Sequence, residues 1–548
     1  MKTGAEVFVD SIVGLGARNL FTLVGDHLNE VLRIAADRGL RILDMRHESA
    51  VVHAADAWAR ITRRPAVALV TGGPGHTNSL TGLATAFLAG SPVISVSGSR
   101  PAALAGRGAF QELEQLATAK PIVKWAAEPT SSDEIPSFVQ RAWTEALSGR
   151  MGPVHLTIPL DLFTGTAADI TGQRQINHVS FPPSHHADIE RAIHLLRGAQ
   201  RPVIIAGSGV WWSNAERELT EFAEKTGIPV YTIGLARGAM ADSHPLCLGY
   251  ADPALNRGAA KAFCLADLFL IFGKRIDFRL SLGSPRVIPS AAKVIQVDIH
   301  PGELGLNRHL DVAICADVRT TLQSLLAEAV ELNWPELPWI EETRRMRVQW
   351  QSKLQAAAED KGQPIHPAAL FREISQSLPP ETLYSWDGGD FAHWGRAILP
   401  ANIPGGWLRL GPLGTIGAAL PNALALQLAN PEKPVVLFTG DGALGFYIAE
   451  LDTAVRHNLP IIIIVGNDAG WGIERELQGG RNTVACELRP TRYDIVMQGF
   501  GGAGEHVEHL DQVKPALSRA LASGRPYMIN VTIRGARSPF TDWKLQSA

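Results

Sequence analysis

Apolar positions along the first 160 residues switch between two rhythms. Helical spacing in EVFVDSIVGLG gives way to the short apolar run NLFTLVG. A second helical stretch leads to RILDMRH, and others lead to AVALVTGG and PVISVSG. Short apolar runs that alternate with helical segments and close on glycine-rich turns predict a parallel sheet covered on both faces. After Pro159 the chain turns polar, and Pro182-Pro183 marks a linker. A second α/β segment opens near Arg201 with RPVIIAGSGVWW and runs through IPVYTIG, ADLFLIFG and AKVIQVDIHP to about residue 330. A proline-broken connector and a charged helix follow. A third segment begins near Pro367 and holds the strands VVLFTGDGA and IIIIVGND. The expected fold class is therefore α/β, with three consecutive doubly wound parallel-sheet domains over 1–165, 186–332 and 366–533 and a tail over 534–548.

Composition narrows the function. The 548 residues include 46% hydrophobic and 19% charged positions and 52 glycines, enough for several packed cores. Lys+Arg of 51 against Asp+Glu of 54 gives a formal charge of -3 without a basic stripe, which argues against a nucleic-acid partner. Cys247, Cys264, Cys315 and Cys486 lack paired spacing, so a disulfide framework or thiolate zinc site is not expected and a cytoplasmic setting is. Glu6 and Asp10 interrupt any secretory core, and the aliphatic run from Ile461 to Val465 is too short to span a bilayer. No membrane partner is expected.

The chemistry concentrates at Gly440-Asp441-Gly442, directly after one apolar strand, and Asn467-Asp468, directly after the next. The intervening GALGFYIAELDTAVRHN has helical periodicity. In a parallel sheet such loops share the carboxyl edge, where ligands bind. Two carboxylates there, with glycines permitting close backbone approach, suit a hard divalent cation holding a diphosphate.

This spacing resembles the signature of the thiamine diphosphate (ThDP) enzymes, in the group of acetolactate synthases, benzaldehyde lyase and 2-hydroxyacyl-CoA lyases. The resemblance implies a pyrimidine-binding, a central Rossmann-like and a diphosphate-binding domain. It also implies that Asp441, Asp468 and the backbone oxygen of Gly470 hold Mg2+. Asp468 departs from the family, which usually has Asn, and adds a negative charge. Gly440, Gly442, Ala443, Trp471, Gly472 and Ile473 would lie beside the cofactor. So would Gly388, Gly389, Asp390 and Phe391 of WDGGDFAHW, with Asp390 expected to point away from phosphate. Gly414 and Ile416 of GPLGTIGAALP match the stretch that props the thiazolium.

On the pyrimidine side, Glu48 would bond the aminopyrimidine nitrogen and promote a C2 carbanion. Helix capping is its alternative. Thr71, Pro74, Gly75 and Asn78 of TGGPGHTN match the family's pyrimidine loop. Gln111 in GAFQELEQ would stand near the substrate carbonyl. His27 aligns with the active-site histidine of benzaldehyde lyase, with a structural role as its alternative. In this superfamily the cofactor lies between subunits, so a homodimer or homotetramer is implied.

The resemblance implies a lyase or carboligase acting through a carbanion and enamine on 2-oxo acids, aldehydes or 2-hydroxy carbonyl compounds. The alternatives are an enzyme of the 2-hydroxyacyl-CoA lyase or oxalyl-CoA decarboxylase type and, behind both, a non-catalytic relative. Leu477 stands where anabolic synthases carry Trp, while Trp471 and Glu474 match the lyase form of that loop. The central GSGVWW is a weak nucleotide signal, and FAD, ADP or CoA there stays open. Arg275 and Arg279 are weighed as phosphate partners against solvated surface cations. The tail is weighed as a strap over CoA substrates against an unstructured end.

Overall fold

The computed structural model describes residues 1–168, 183–480 and 482–546. Each α/β unit forms its own six-stranded parallel sheet. In the first, Arg41–Asp44, Asn19–Thr22, Ala66–Val70, Val93–Ser99, Val154–Pro159 and Ala126–Ala127 lie side by side in that order. In the third the order is Trp407–Arg409, Leu383–Trp386, Val435–Gly440, Ile462–Asn467, Tyr527–Thr532 and Ala503–Val507. Numbered along the chain, both sheets run 2-1-3-4-6-5, so the two units repeat one topology. The central sheet runs 3-2-1-4-5-6 from Cys247–Tyr250 through Pro202–Ala206 to Val312–Cys315, the Rossmann order.

Residue choice explains the layering. Along Val435–Gly440, Val435 and Leu437 enter one core while Val436 and Phe438 enter another. Ile462 to Val465 divide the same way. A strand covered on both faces reads as a near-continuous apolar run, as Val435 to Phe438 and Ile462 to Val465 do. The helices Glu48–Thr62 and Ala419–Ala429 pack together, so the first and third units share one continuous core.

Three expectations need correction. The polar stretch after Pro159 is not loop throughout. It forms a short helix Leu160–Thr164 and a strand Thr166–Ala167 paired antiparallel with Lys2–Thr3, because Gly165 O accepts from Gly4 N and Leu162 O from Ser132 Oγ. Most of the expected linker (169–182) lies outside the described residues. The segment after Gly440 is helical but broken into Asp441–Leu444, Gly445–Tyr447 and Glu450–Arg456, with poor helix-forming Gly445 at the first break. The described part of the tail, through Gln546, is folded rather than open chain. Ser538 caps a helix Pro539–Leu545, whose Phe540 ring packs at a tilt against His393, centroids 4.2 Å apart. All four cysteines are free, and no described helix is long and apolar enough to cross a membrane.

Candidate active site

Both 2-1-3-4-6-5 sheets reverse direction between their first and third strands, and the crevice beyond the carboxyl ends of such strands binds ligands. In the first unit this brings Gly25–His27 beside Thr71–Asn78. His27 is buried, and its Nδ1 lies 2.7 Å from Thr71 Oγ1 and 3.4 Å from the Gly72 N–H. A backbone N–H can only donate, so this contact favours the tautomer with its proton on Nε2. Burial lowers the His27 pKa, and nearby Asp26 only partly opposes it, which keeps the ring neutral.

Glu48 begins its helix one turn beyond the strand Arg41–Asp44. Asn78 Nδ2 donates to Glu48 Oε2 at 2.9 Å. A Cβ added at Gly75 would stand 3.4 Å from Glu48 Oε1 and 2.8 Å from Thr71 Cγ2, so only glycine leaves the carboxylate open to a flat ring here. Pro74 starts the following helix, Pro74–Ala89, and Gln111 packs against Gly73, where an added Cβ would meet its Cβ at 2.8 Å. Gln111 Oε1 is buried without a hydrogen-bond partner among the described residues. The seven pyrimidine-side residues thus form one cluster.

The third unit builds a separate cavity of about 170 Å³. Gly388, Gly389, Asp390 and Phe391 wall one side, with Ile416 beside Gly388, where an added Cβ would meet Ile416 Cγ2 at 3.0 Å. Gly440, Asp441, Gly442 and Ala443 form the floor. Asp468, Gly470, Trp471, Gly472 and Ile473 form the far wall. The Trp471 ring lies over Gly442, leaving no room for a side chain there. Gly414 does not line this cavity; it sits exposed at a positive φ of 78°. Asp390 divides its contacts. Its Oδ1 accepts from Ser538 N and Thr541 Oγ1, fixing that oxygen toward the tail, while an added Cβ at Gly472 would lie 3.8 Å from Oδ2, on the cavity side.

Two largely buried carboxylates face this cavity. Burial and the Asp468 charge push Asp441 up to about 7, and burial pushes Asp468 up to about 6. Gly470 N donates to Asp441 Oδ2 at 3.0 Å. Among the described residues no group of three His, Cys, Asp or Glu could hold a metal unaided. Two carboxylates lacking further side-chain ligands suit Mg2+, which completes its octahedron with phosphate oxygens and water. The donor set and the glycine cradle both fit a metal-bridged diphosphate.

A larger cavity, about 210 Å³ and open to solvent, lies among the three units. Ser208 and Gly209 of the GSG turn line it, at the switch point of the central sheet. Arg275 and Arg279 line it too, which corrects the solvated-surface alternative. Arg275 donates to Leu88 O, and Asp252 holds Arg279 at 2.9 Å.

Three residues escaped the sequence analysis. Asp387 is buried and stitches the third-unit switch point: Oδ1 accepts from Gly388 N and Gly417 N, and Oδ2 from Thr439 Oγ1. Gln115 does the same in the first unit, accepting from Gly73 N and donating to Gly98 O. Arg475 pairs with Asp468 at 3.3 Å. Asp387 directly precedes the Gly388-Gly389 pair and Gln115 follows Gln111 by four positions; those placements were the only available signals.

Comparison with known proteins agrees with this geometry. Models of the thiamine pyrophosphate enzyme N-terminal TPP binding domain, central domain and C-terminal TPP binding domain match residues 2–118, 189–325 and 387–531. The protein named acetolactate synthase large subunit IlvG of Mycobacterium tuberculosis is 35% identical over 94% of this chain and 93% of its own. The proteins named 2-hydroxyacyl-CoA lyase 2 of Caenorhabditis elegans and of Homo sapiens are 32% and 31% identical, over 95% and 99% of this chain and 87% and 91% of theirs. The chain belongs to the thiamine pyrophosphate enzyme family.

Proposed function

We propose that the chain is a ThDP- and Mg2+-dependent C–C lyase or carboligase of the acetolactate synthase-like kind, acting on 2-oxo acids, aldehydes or 2-hydroxy carbonyl compounds. One observation carries this above others. A cavity with two buried carboxylates is matched in the same chain by Glu48, whose Oε2 is fixed by Asn78 while Oε1 lies near Gly75.

When bound, thiamine diphosphate supplies an electron sink for a carbon next to a carbonyl. Asp441 and Asp468, with the backbone at Gly470, would hold the cation and through it the diphosphate. Trp471 closes over Gly442, and Ile416 would support the cofactor ring. Glu48, with Oε2 held by Asn78, would offer Oε1 as the acid–base group toward the pyrimidine. His27 donates from Nε2 to a substrate oxygen, and Gln111 offers its free amide group beside it.

No residue of the first unit lines the third-unit cavity, so one chain holds two half-sites. A homodimer or homotetramer would set Glu48 of one copy against the cavity of another. The exposed rings of Phe110 (80% exposed) and Phe446 (56% exposed) support burial in such an interface.

A 2-hydroxyacyl-CoA lyase is the second reading. The ordered tail, crossing the cavity at Arg534 to Ala536, and the cations of the central cavity favour it, with FAD, ADP or CoA as the central ligand. A panel of pyruvate, benzoin, 2-hydroxyacyl-CoA and oxalyl-CoA with ThDP and Mg2+ tests both. Acetolactate from pyruvate supports the first. Cleavage of a 2-hydroxyacyl-CoA together with ADP binding supports the second. No reaction at any of these carbonyls sinks both.

A further inference from the structure

The seam between the central unit, the third unit and the terminal helix buries more positive charge than it neutralises. Arg396, on the helix Gly389–Ile398, is 2% exposed, and its Nε, Nη1 and Nη2 have no hydrogen-bond partner among the described residues. Arg409 ends the strand Trp407–Arg409 and donates to the Tyr250 hydroxyl at 3.1 Å. Arg279 reaches the same region from the central unit, paired with Asp252. Arg237 is close by, but Asp242 neutralises it through two hydrogen bonds, and its guanidinium lies on the faces of Tyr250 and Trp407. His393 is buried under Phe540, and burial together with Arg396 drives its pKa well below the ordinary value, so it is neutral. Lys274 pairs with Asp277. Arg279, Arg396 and Arg409 therefore share the single carboxylate of Asp252.

Such an arrangement is costly when nothing completes it. An uncompensated buried guanidinium is destabilising, and its five N–H donors need acceptors. Arg279 and Arg409 both line the central cavity, so the excess charge faces a space that a ligand can enter.

We propose that this wall of the central cavity is an oxyanion site. A compact phosphate or carboxylate group seats between Arg279 and Arg409, with Arg396 completing the charge from behind. Guanidinium forks match both groups through paired N–H···O bonds. The site shares this cavity with Ser208 and Gly209 of the central turn but draws two of its three cations from the third unit, and it stands whether or not a nucleotide occupies that turn. The internal alternative is Tyr250. Burial raises its pKa, but the Arg409 and Arg396 cations outweigh that and hold it below the ordinary value. A Tyr250 phenolate would then serve as the missing anion.

Calorimetric titration of inorganic phosphate and of malonate into the ThDP- and Mg2+-loaded protein separates these cases. Saturable one-to-one binding of at least one of them is expected. Arg396→Met should weaken it about tenfold or more, and Arg396→Lys less. Arg409→Gln, at a half-buried position that tolerates change better, should weaken it comparably even if Arg396→Met fails to fold. Preference for phosphate points to a phosphate ester, and preference for malonate to a carboxylate ligand. The proposal is overturned if the wild type binds neither anion, if both variants bind as the wild type does, or if a tyrosinate absorbance present at neutral pH disappears in Tyr250→Phe.

Discussion

Arg475 donates from Nη1 to the Asp468 carboxylate at 3.3 Å, and its Nε and Nη2 reach Glu487 at 3.1 and 3.2 Å. Asp468 stands where the family usually has a neutral Asn, and a charge added beside a diphosphate would repel it. The guanidinium seven residues later offsets that charge. Its Coulomb contribution lowers the Asp468 pKa, although burial dominates and leaves it raised. Arg475→Gln is expected to weaken Mg2+-dependent ThDP binding by about tenfold, the scale of one half-buried charged hydrogen bond. Asp468→Asn combined with Arg475→Gln should restore most of it. Calorimetry on Arg475→Gln, Asp468→Asn and the double variant measures the coupling, and a double variant as weak as Arg475→Gln would refute the compensation.

The buried carboxylates set a pH dependence. Asp441 is raised to about 7, above its ordinary value near 3.8, so the folded apoprotein holds a proton that the unfolded chain has lost. Stability of the apoprotein therefore falls as pH rises from about 4 through about 7. A bound cation needs the ionised form, so Mg2+ affinity should rise over the same window, by up to about tenfold per pH unit for one displaced proton. Asp468→Asn removes the second-largest cause of the shift and should move the inflexion to lower pH. Melting and Mg2+ titrations between pH 5 and 8 check both signs.

Glu48→Gln keeps an acceptor for Asn78 but cannot exchange the proton. Turnover should fall by about 10² to 10⁴, the range for a positioned acid–base group. ThDP affinity should change little. Full activity in this variant would remove Glu48 from the chemistry and return it to helix capping.

Complementation tests the division of the site between copies. Glu48→Gln and Asp441→Ala chains should each be nearly inactive alone. Mixed assemblies of the two contain some sites with both residues intact, so activity should reappear on co-refolding or co-expression. Persistent inactivity in assemblies shown to be mixed would place both residues in one chain's site.

Much of this architecture was legible because burial on both sheet faces leaves continuous apolar runs, as from Val435 to Phe438 and from Ile462 to Val465. Local motifs also carried over: fourteen of the fifteen diphosphate-side positions line one cavity. Gly414 alone falls outside it, because its loop turns toward solvent. What was not legible depends on contacts between distant segments. Asp387 matters through Gly417 and Thr439, Arg475 through Asp468, and the tail becomes helical by docking Phe540 on His393 and Ser538 on Asp390. Arg275 and Arg279 read as surface cations because no local pattern reveals that three units enclose them.

The most direct measurement is calorimetric titration of ThDP into the wild type and Asp441→Ala, each with and without Mg2+. Saturable binding should appear only for the wild type with Mg2+ and be abolished or greatly weakened in Asp441→Ala. Absence of binding in the wild type, or equal binding by the variant, would contradict the assignment of this cavity to a metal-bridged diphosphate.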